Sequence, residues 1–205
     1  MTKRRFGTDI RQEQIAEAAL DVVRSQGIKA LNVAAVAEKV GVVPSALYRH
    51  FRSKSDIVTA VLELIGKRLN AHFLQVVNQD LDALEKLQLL LMQHIELIGS
   101  NNAIPRIIFS EEVIGGLPET RRQLFGIIEK VIDNVAAIIR EGQRQGTIRS
   151  DLAANNIAVS FLGMIQPAAI IWNLSNGEFD LARHSRAAWR LFSDALQAGA
   201  KKIKP

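Results

Sequence analysis

The stretch NVAAVAEKVGVVPSALYRHF, residues 32–51, decides the fold. Two short helical patterns are joined by a three-residue turn, Gly41-Val42-Val43, which is the plan of a helix-turn-helix. Asn32 is placed to cap the first helix, whose apolar positions are Val33, Val36, Ala37 and Val40. Ala37 supplies the small side chain needed where two helices cross closely, and Gly41 tolerates the positive φ of a tight turn. Pro44 opens the second helix at the position where proline costs least. Val36, Val40, Val42 and Leu47 are the residues expected to lock the second helix onto the first. That second helix is read through Tyr48 to about Phe51, with Ser45, Tyr48, Arg49 and His50 facing outward. Such a unit presents the N-terminal half of its second helix to the DNA major groove.

The pattern stays helical on both sides of this segment. Upstream, Ile15, Ala18/Ala19 and Val22/Val23 recur at three- and four-residue spacing. Asp9 with Gln12 is the expected opening box of that helix, and Gly27 its C-terminal cap. Downstream, Ser53-Lys54-Ser55-Asp56 has the spacing of a capping box and starts a long helix through Ile57, Val61, Leu64/Ile65 and Leu69. Further helices are expected at 80–99, 104–114, 118–145, 152–175 and 180–199, divided by Gly-, Asn- and Ser-rich turns. Strand-like alternation is absent, so the expected fold is all-α. A three-helix DNA-binding domain is placed at 1–56 and a larger helical domain at 57–205.

Composition narrows the function classes. Hydrophobic residues make up 48% and charged residues 23%, the balance of a folded globular chain. The absence of cysteine excludes disulfides and thiolate chemistry and points to a reducing cytoplasm. No signal peptide is read at the start, and no run of 18 consecutive apolar residues suggests a membrane span. Residues 1–55 carry ten Lys/Arg against five Asp/Glu, while the rest of the chain is balanced. The whole net charge of +5 therefore belongs to the first quarter, where a polyanion would bind. There is no Gly-rich phosphate loop, nucleophile elbow or cysteine nucleophile, so no enzyme is expected. His50, His72, His94 and His184 share no metal-ligand spacing, so no metal and no cofactor is expected.

Individual side chains carry more specific expectations. Tyr48 and His50 can donate to phosphate oxygens, contacts that fix position rather than sequence. Arg49 can bond guanine bidentately and is the candidate for base readout. Lys54 reads either as a solvated turn lysine or as the partner of a phosphate bound at a helix start. Arg4 and Arg5 read either as a minor-groove arm or as a solubilising terminus. Valine at position 43 cannot cap the helix that Pro44 opens, so that helix relies on the proline.

The runs Ile15-Ala16-x-Ala18-Ala19, Val33-x-x-Val36-Ala37-x-x-Val40-Gly41-Val42 and Ala46-Leu47-Tyr48-Arg49-His50-Phe51-x-Ser53-Lys54 resemble the tetracycline-repressor (TetR) family over about residues 10–65. The resemblance implies an all-helical homodimer that binds a palindromic double-stranded DNA operator and is released by a small effector held in the C-terminal body. It further implies that Tyr48, His50 and Lys54 contact phosphates, with Pro44, Ser45, Ala46 and Arg49 facing bases or adjacent backbone. Asn32, which also can meet a phosphate, and Val33 are counted with them. The family often has Thr at position 32 and Ser or Thr at position 43, so base specificity does not carry over to this chain.

In the C-terminal body the segment Ile157–Trp172 is the most apolar of the chain, and helices apolar on several faces are buried on several faces. The family's dimer contact uses its last two helices, which assigns 152–175 and 180–199 to the seam, with Phe161, Trp189 and Phe192 as anchors. Ordinary intramolecular core is the alternative. Pro167 is expected to free the Gly163 carbonyl and bend its helix. Met92, His94, Gln166 and Trp172 are polar or soft groups on apolar faces and are the candidates for binding an apolar effector. A DNA-binding protein without any small-molecule effector is the alternative to ligand release.

Overall fold

The computed structural model describes the backbone of residues 3–197 and the side chains of residues 12–197. Among them are ten α-helices, one short 3-10 turn at 28–30 and no strand, only an isolated bridge between Ile148 and Gln197.

The helices begin and end where local hydrogen bonds dictate. Helix α1 (Lys3–Gln26) buries Ile15, Ala16, Ala19, Leu20, Val22 and Val23. It ends at Gly27, whose φ of 84° no other residue adopts cheaply and whose N–H bonds the Val23 carbonyl at 2.9 Å. Its start lies six residues ahead of Asp9, so Asp9 and Gln12 sit inside the helix and do not open it. Helix α2 (Val33–Val40) is capped by Asn32, whose Oδ1 accepts from the Ala35 N–H at 2.9 Å. It closes on Gly41 at φ 79°.

Helix α3 is shorter than its sequence suggests. Regular helix spans Pro44–Leu47 only, and Phe51 is reached through turns in which the His50 and Phe51 N–H groups both bond the Leu47 carbonyl at 2.9 Å. Helix α4 (Lys54–Val77) opens on the expected capping box: Ser53 N–H donates to Asp56 Oδ2 at 3.1 Å and Asp56 N–H to Ser53 Oγ at 3.2 Å. The same device opens α5 (Ala83–Ser100), where Asp82 and Glu85 exchange bonds of 2.9 and 2.8 Å.

The single helix expected at 104–114 is two, α6 (Ala103–Ile108) and α7 (Glu111–Ile114). Buried Ser110 between them takes an extended backbone and donates its hydroxyl to the Ile107 carbonyl at 2.7 Å. A serine bonding its neighbouring backbone in this way competes with helix continuation. Helices α8 (Pro118–Gln145), α9 (Ala154–Leu174) and α10 (Leu181–Leu196) complete the chain. Helix α9 continues unbroken through Pro167, and both Pro167 and Gly163 lie on its exposed side.

The chain forms two compact units, Met1–Arg68 with Asn101–Ile127, and Leu69–Ser100 with Ile128–Pro205. The division between these units falls within α4 and α8. In the first unit α1 packs on α2 and α6, and α2 on α3. In the second α10 packs on α9 and α5.

Two glycines of α8 test this packing in opposite directions. A Cβ at Gly142 would meet Ala83 Cβ and Ile148 Cδ1 at 2.7 Å, whereas at Gly126 nothing lies within 4 Å. Gly126→Ala is expected to stabilise the chain by about 0.5–1 kcal/mol through helix propensity. Gly142→Ala is expected to destabilise it by about 1–3 kcal/mol through overpacking, both read from urea unfolding midpoints.

Candidate nucleic-acid interface and effector recess

The DNA-facing candidates separate by what the fold does with them. Leu47 and Phe51 are buried, which turns Tyr48, Arg49 and His50 outward between them. Pro44 and Ser45 are exposed and Ala46 is half-buried. The side chains of Ser45, Tyr48, Arg49 and His50 make no hydrogen bond or ion pair among the described residues. No carboxylate occurs between Glu38 and Asp56, so the segment itself carries cations and hydroxyls and no acid. Val43 leaves α3 without a side-chain cap, as its sequence implies.

Other candidates are committed elsewhere. Val33 is 3% exposed, so its side chain is core and not a DNA contact. Val42 is 39% exposed, less buried than Val36 or Leu47. Asn32 is exposed but engaged at both ends of its amide, with Nδ2 donating to the Ala30 carbonyl at 3.1 Å. Arg4 and Arg5 lie outside the residues whose side chains are described.

Lys54 is the largest departure. Its ammonium donates to the Ile28 carbonyl at 2.8 Å and pairs with Glu112 Oε1 of α7 at 2.5 Å. Burial alone would push the Glu112 carboxyl up, but the bond and charge of Lys54, its own backbone N–H and the Ser110 hydroxyl together hold it below the usual carboxylate range. At the start of α4 the Arg52 and Ser53 N–H groups already donate to Asp56 Oδ2, at 2.6 and 3.1 Å. The expected phosphate cradle is thus occupied by the protein's own carboxylates. Glu112 stands 58 residues away, and no local pattern in the sequence announces it.

A small recess of about 30 Å³ lies in the second unit. Its walls are mostly hydrocarbon and aromatic: Leu69 and Phe73 from α4, Leu90 from α5, Val131 and Val135 from α8, and Phe161 from α9. Three polar residues join them, His72, His94 and Asn134, one each from α4, α5 and α8. His72 Nδ1 is buried without a hydrogen-bond partner. Burial first, and the neighbouring His72 second, lower the His94 pKa from 6.5 to about 4.

Of the four effector candidates only His94 lines this recess. Gln166 is exposed on α9, and Met92 and Trp172 are half-buried away from the lining. His72 and Asn134 were legible as polar interruptions of apolar stripes, at Leu69/Phe73/Val76 and Val131/Val135/Ile138. The proposed seam anchors also turn inward. Phe161 is 1% and Trp189 7% exposed, and Phe192 bridges their rings at centroid distances of 6.0 and 6.1 Å. Phe161 and Trp189 are core of the single chain, while Phe192 is half-buried against them.

Comparison with known proteins places this architecture. Residues 15–61 match the model of bacterial regulatory proteins of the tetR family, and residues 63–195 match that of the YsiA-like protein C-terminal region. The nucleoid occlusion factor SlmA of Alteromonas mediterranea is 30% identical over 145 residues, 70% of this chain and 74% of that one. The fatty acid degradation regulator FadR of Bacillus halodurans superposes with a TM-score of 0.78 at 19% identity, covering 89% of this chain and 94% of that one. FadR of Bacillus subtilis in complex with stearoyl-CoA gives 0.76 at 22% identity, over 92% and 98%. The chain belongs to the tetR family and is a DNA-binding transcriptional regulator.

Two measurements probe these groups. Glu112→Gln removes a pair that is about one-third exposed and is expected to cost no more than about 1 kcal/mol of stability. If Lys54 serves DNA, the same change releases its ammonium and tightens operator binding; weaker binding would mark the lysine as purely structural. For His94, the unfolded chain protonates near pH 6.5 and the folded chain near 4, so the unfolded state binds more protons between them. Stability is expected to fall by up to roughly 3 kcal/mol as pH drops through that window. Urea midpoints at each end of it check this, and His94→Gln flattens the profile.

Proposed function

We propose that this chain is a repressor released by a small ligand, binding a palindromic operator as a homodimer in the cytoplasm and performing no catalysis. The observation that carries the DNA reading is the acid-free, outward trio Tyr48-Arg49-His50, which nothing among the described residues engages. Tyr48 and His50 hold phosphates, Arg49 reads bases, and Pro44, Ser45, Ala46 and Asn32 border the groove. Lys54 joins once phosphate displaces Glu112, and Arg4 and Arg5, which fall in the first turn of α1 rather than ahead of it, add positive charge there. The DNA-binding part is residues 1–56, and the remainder serves effector and partner.

For the dimer, the outward surface of α9 and α10 supports a seam. Val159, Ile170, Ile171 and Leu174 are exposed along α9, and Leu191, 77% exposed, continues that surface on α10. Side chains of this kind left in water favour a second copy. For the effector, the recess supports an apolar ligand, and the stearoyl-CoA bound by the Bacillus subtilis relative suggests a long-chain acyl compound. The buried, unpartnered His72 Nδ1 inside the recess favours ligand release over constitutive DNA binding.

Fluorescence anisotropy on DNA from upstream of its own gene tests the reading. Log affinity is expected to fall linearly with log salt, with a slope set by several phosphates per dimer. Tyr48→Phe weakens all sequences about equally, whereas Arg49→Ala costs about 1–3 kcal/mol and relaxes preference at one base position. A flat salt dependence would overturn the proposal. Binding that no acyl compound relieves would leave a constitutive DNA-binding protein.

A further inference from the structure

We propose that His72, His94 and Asn134 form a subsite for one uncharged polar group on a hydrocarbon ligand, and that the recess excludes a free carboxylate. Hydroxyl, ketone, ester and thioester groups belong to the accepted class. This deepens the ligand-release reading and rests on it.

The lining carries the argument. Three polar side chains converge from three helices into a space otherwise walled by leucine, valine and phenylalanine. None of the three makes a hydrogen bond among the described residues, and His72 Nδ1 is buried without a hydrogen-bond partner. Buried polar atoms without partners are costly, so a ligand that supplies partners is favoured over a plain hydrocarbon. A neutral imidazole offers one donor and one acceptor, and an amide offers both. Together they match a small neutral group that accepts, donates or does both.

A carboxylate meets a different environment. Among the described residues no lysine or arginine lines the recess. His94 is held uncharged by burial and by His72 beside it, so it offers a carboxylate no counter-charge. Moving an ionised group out of water without a counter-charge costs far more than neutral hydrogen bonds return. Any charged portion of the ligand therefore lies outside this space.

The test uses the full chain at about pH 8 with three probes of one chain length: decan-1-ol, methyl decanoate and decanoate. Calorimetric titration is expected to show both neutral probes binding at least about tenfold tighter than decanoate, about 1.4 kcal/mol. His94→Leu and Asn134→Leu, which fill their sites with apolar groups, are expected to reduce that preference, with far-ultraviolet dichroism confirming the fold. Decanoate binding as tightly as the neutral probes overturns the subsite while leaving ligand release intact. Binding of none of the three also overturns it. If the neutral probes bind with the expected preference yet leave operator affinity unchanged, the subsite stands and ligand release falls.

Discussion

Burial of Leu47 and Phe51 is the constraint on which the DNA-reading element depends. A helix of four residues, Pro44–Leu47, has no stability of its own, because its nucleation cost is never repaid by length. Two nearly fully buried side chains, each contributing roughly 1.5–3 kcal/mol, hold it instead. Their spacing of four residues fixes the register, and the register turns residues 48–50 to solvent together. Val43 offers no cap and Val42 is only partly buried, so neither substitutes for this pair.

The parts of the fold that were legible in sequence are those coded over a few residues. Asn32 reaches Ala35, Gly41 supplies its positive φ, and Ser53 and Asp56 exchange bonds across a single turn. The pairing of Asp82 with Glu85 has the same signature and could have been read in the same way. What stayed illegible depends on elements far apart in the chain. Lys54 looks like a surface lysine until Glu112 of α7 arrives beside it. His94 looks isolated until α4 and α8 bring His72 and Asn134 to the same recess. The division between α6 and α7 turns on whether Ser110 bonds the backbone or leaves the helix intact, and periodicity is blind to that choice.

Helix α9 shows how an apolar composition can conceal two separate demands. By length and composition it is apolar enough to cross a membrane. One side of it is nonetheless the core of the second unit, with Ile157, Phe161, Leu162, Ile165, Ala168 and Ala169 buried. The other side leaves Val159, Ile170, Ile171 and Leu174 in solvent. Aromatic residues attract attention as interface anchors because they are large, yet here they fill the inner side, and branched aliphatics occupy the outer one.

The Lys54–Glu112 pair has a consequence for how this protein experiences ions. A free surface lysine gathers a diffuse cloud of mobile anions, and DNA phosphate acts as a competitor to that cloud. Lys54 instead carries a built-in counterion, fixed on another helix of the same unit. A phosphate approaching it exchanges with a tethered carboxylate at fixed local concentration, whatever the salt of the medium. Two kinds of cation thus coexist on one basic module: Arg49, whose electrostatics follow the ionic strength, and Lys54, whose electrostatics are set internally.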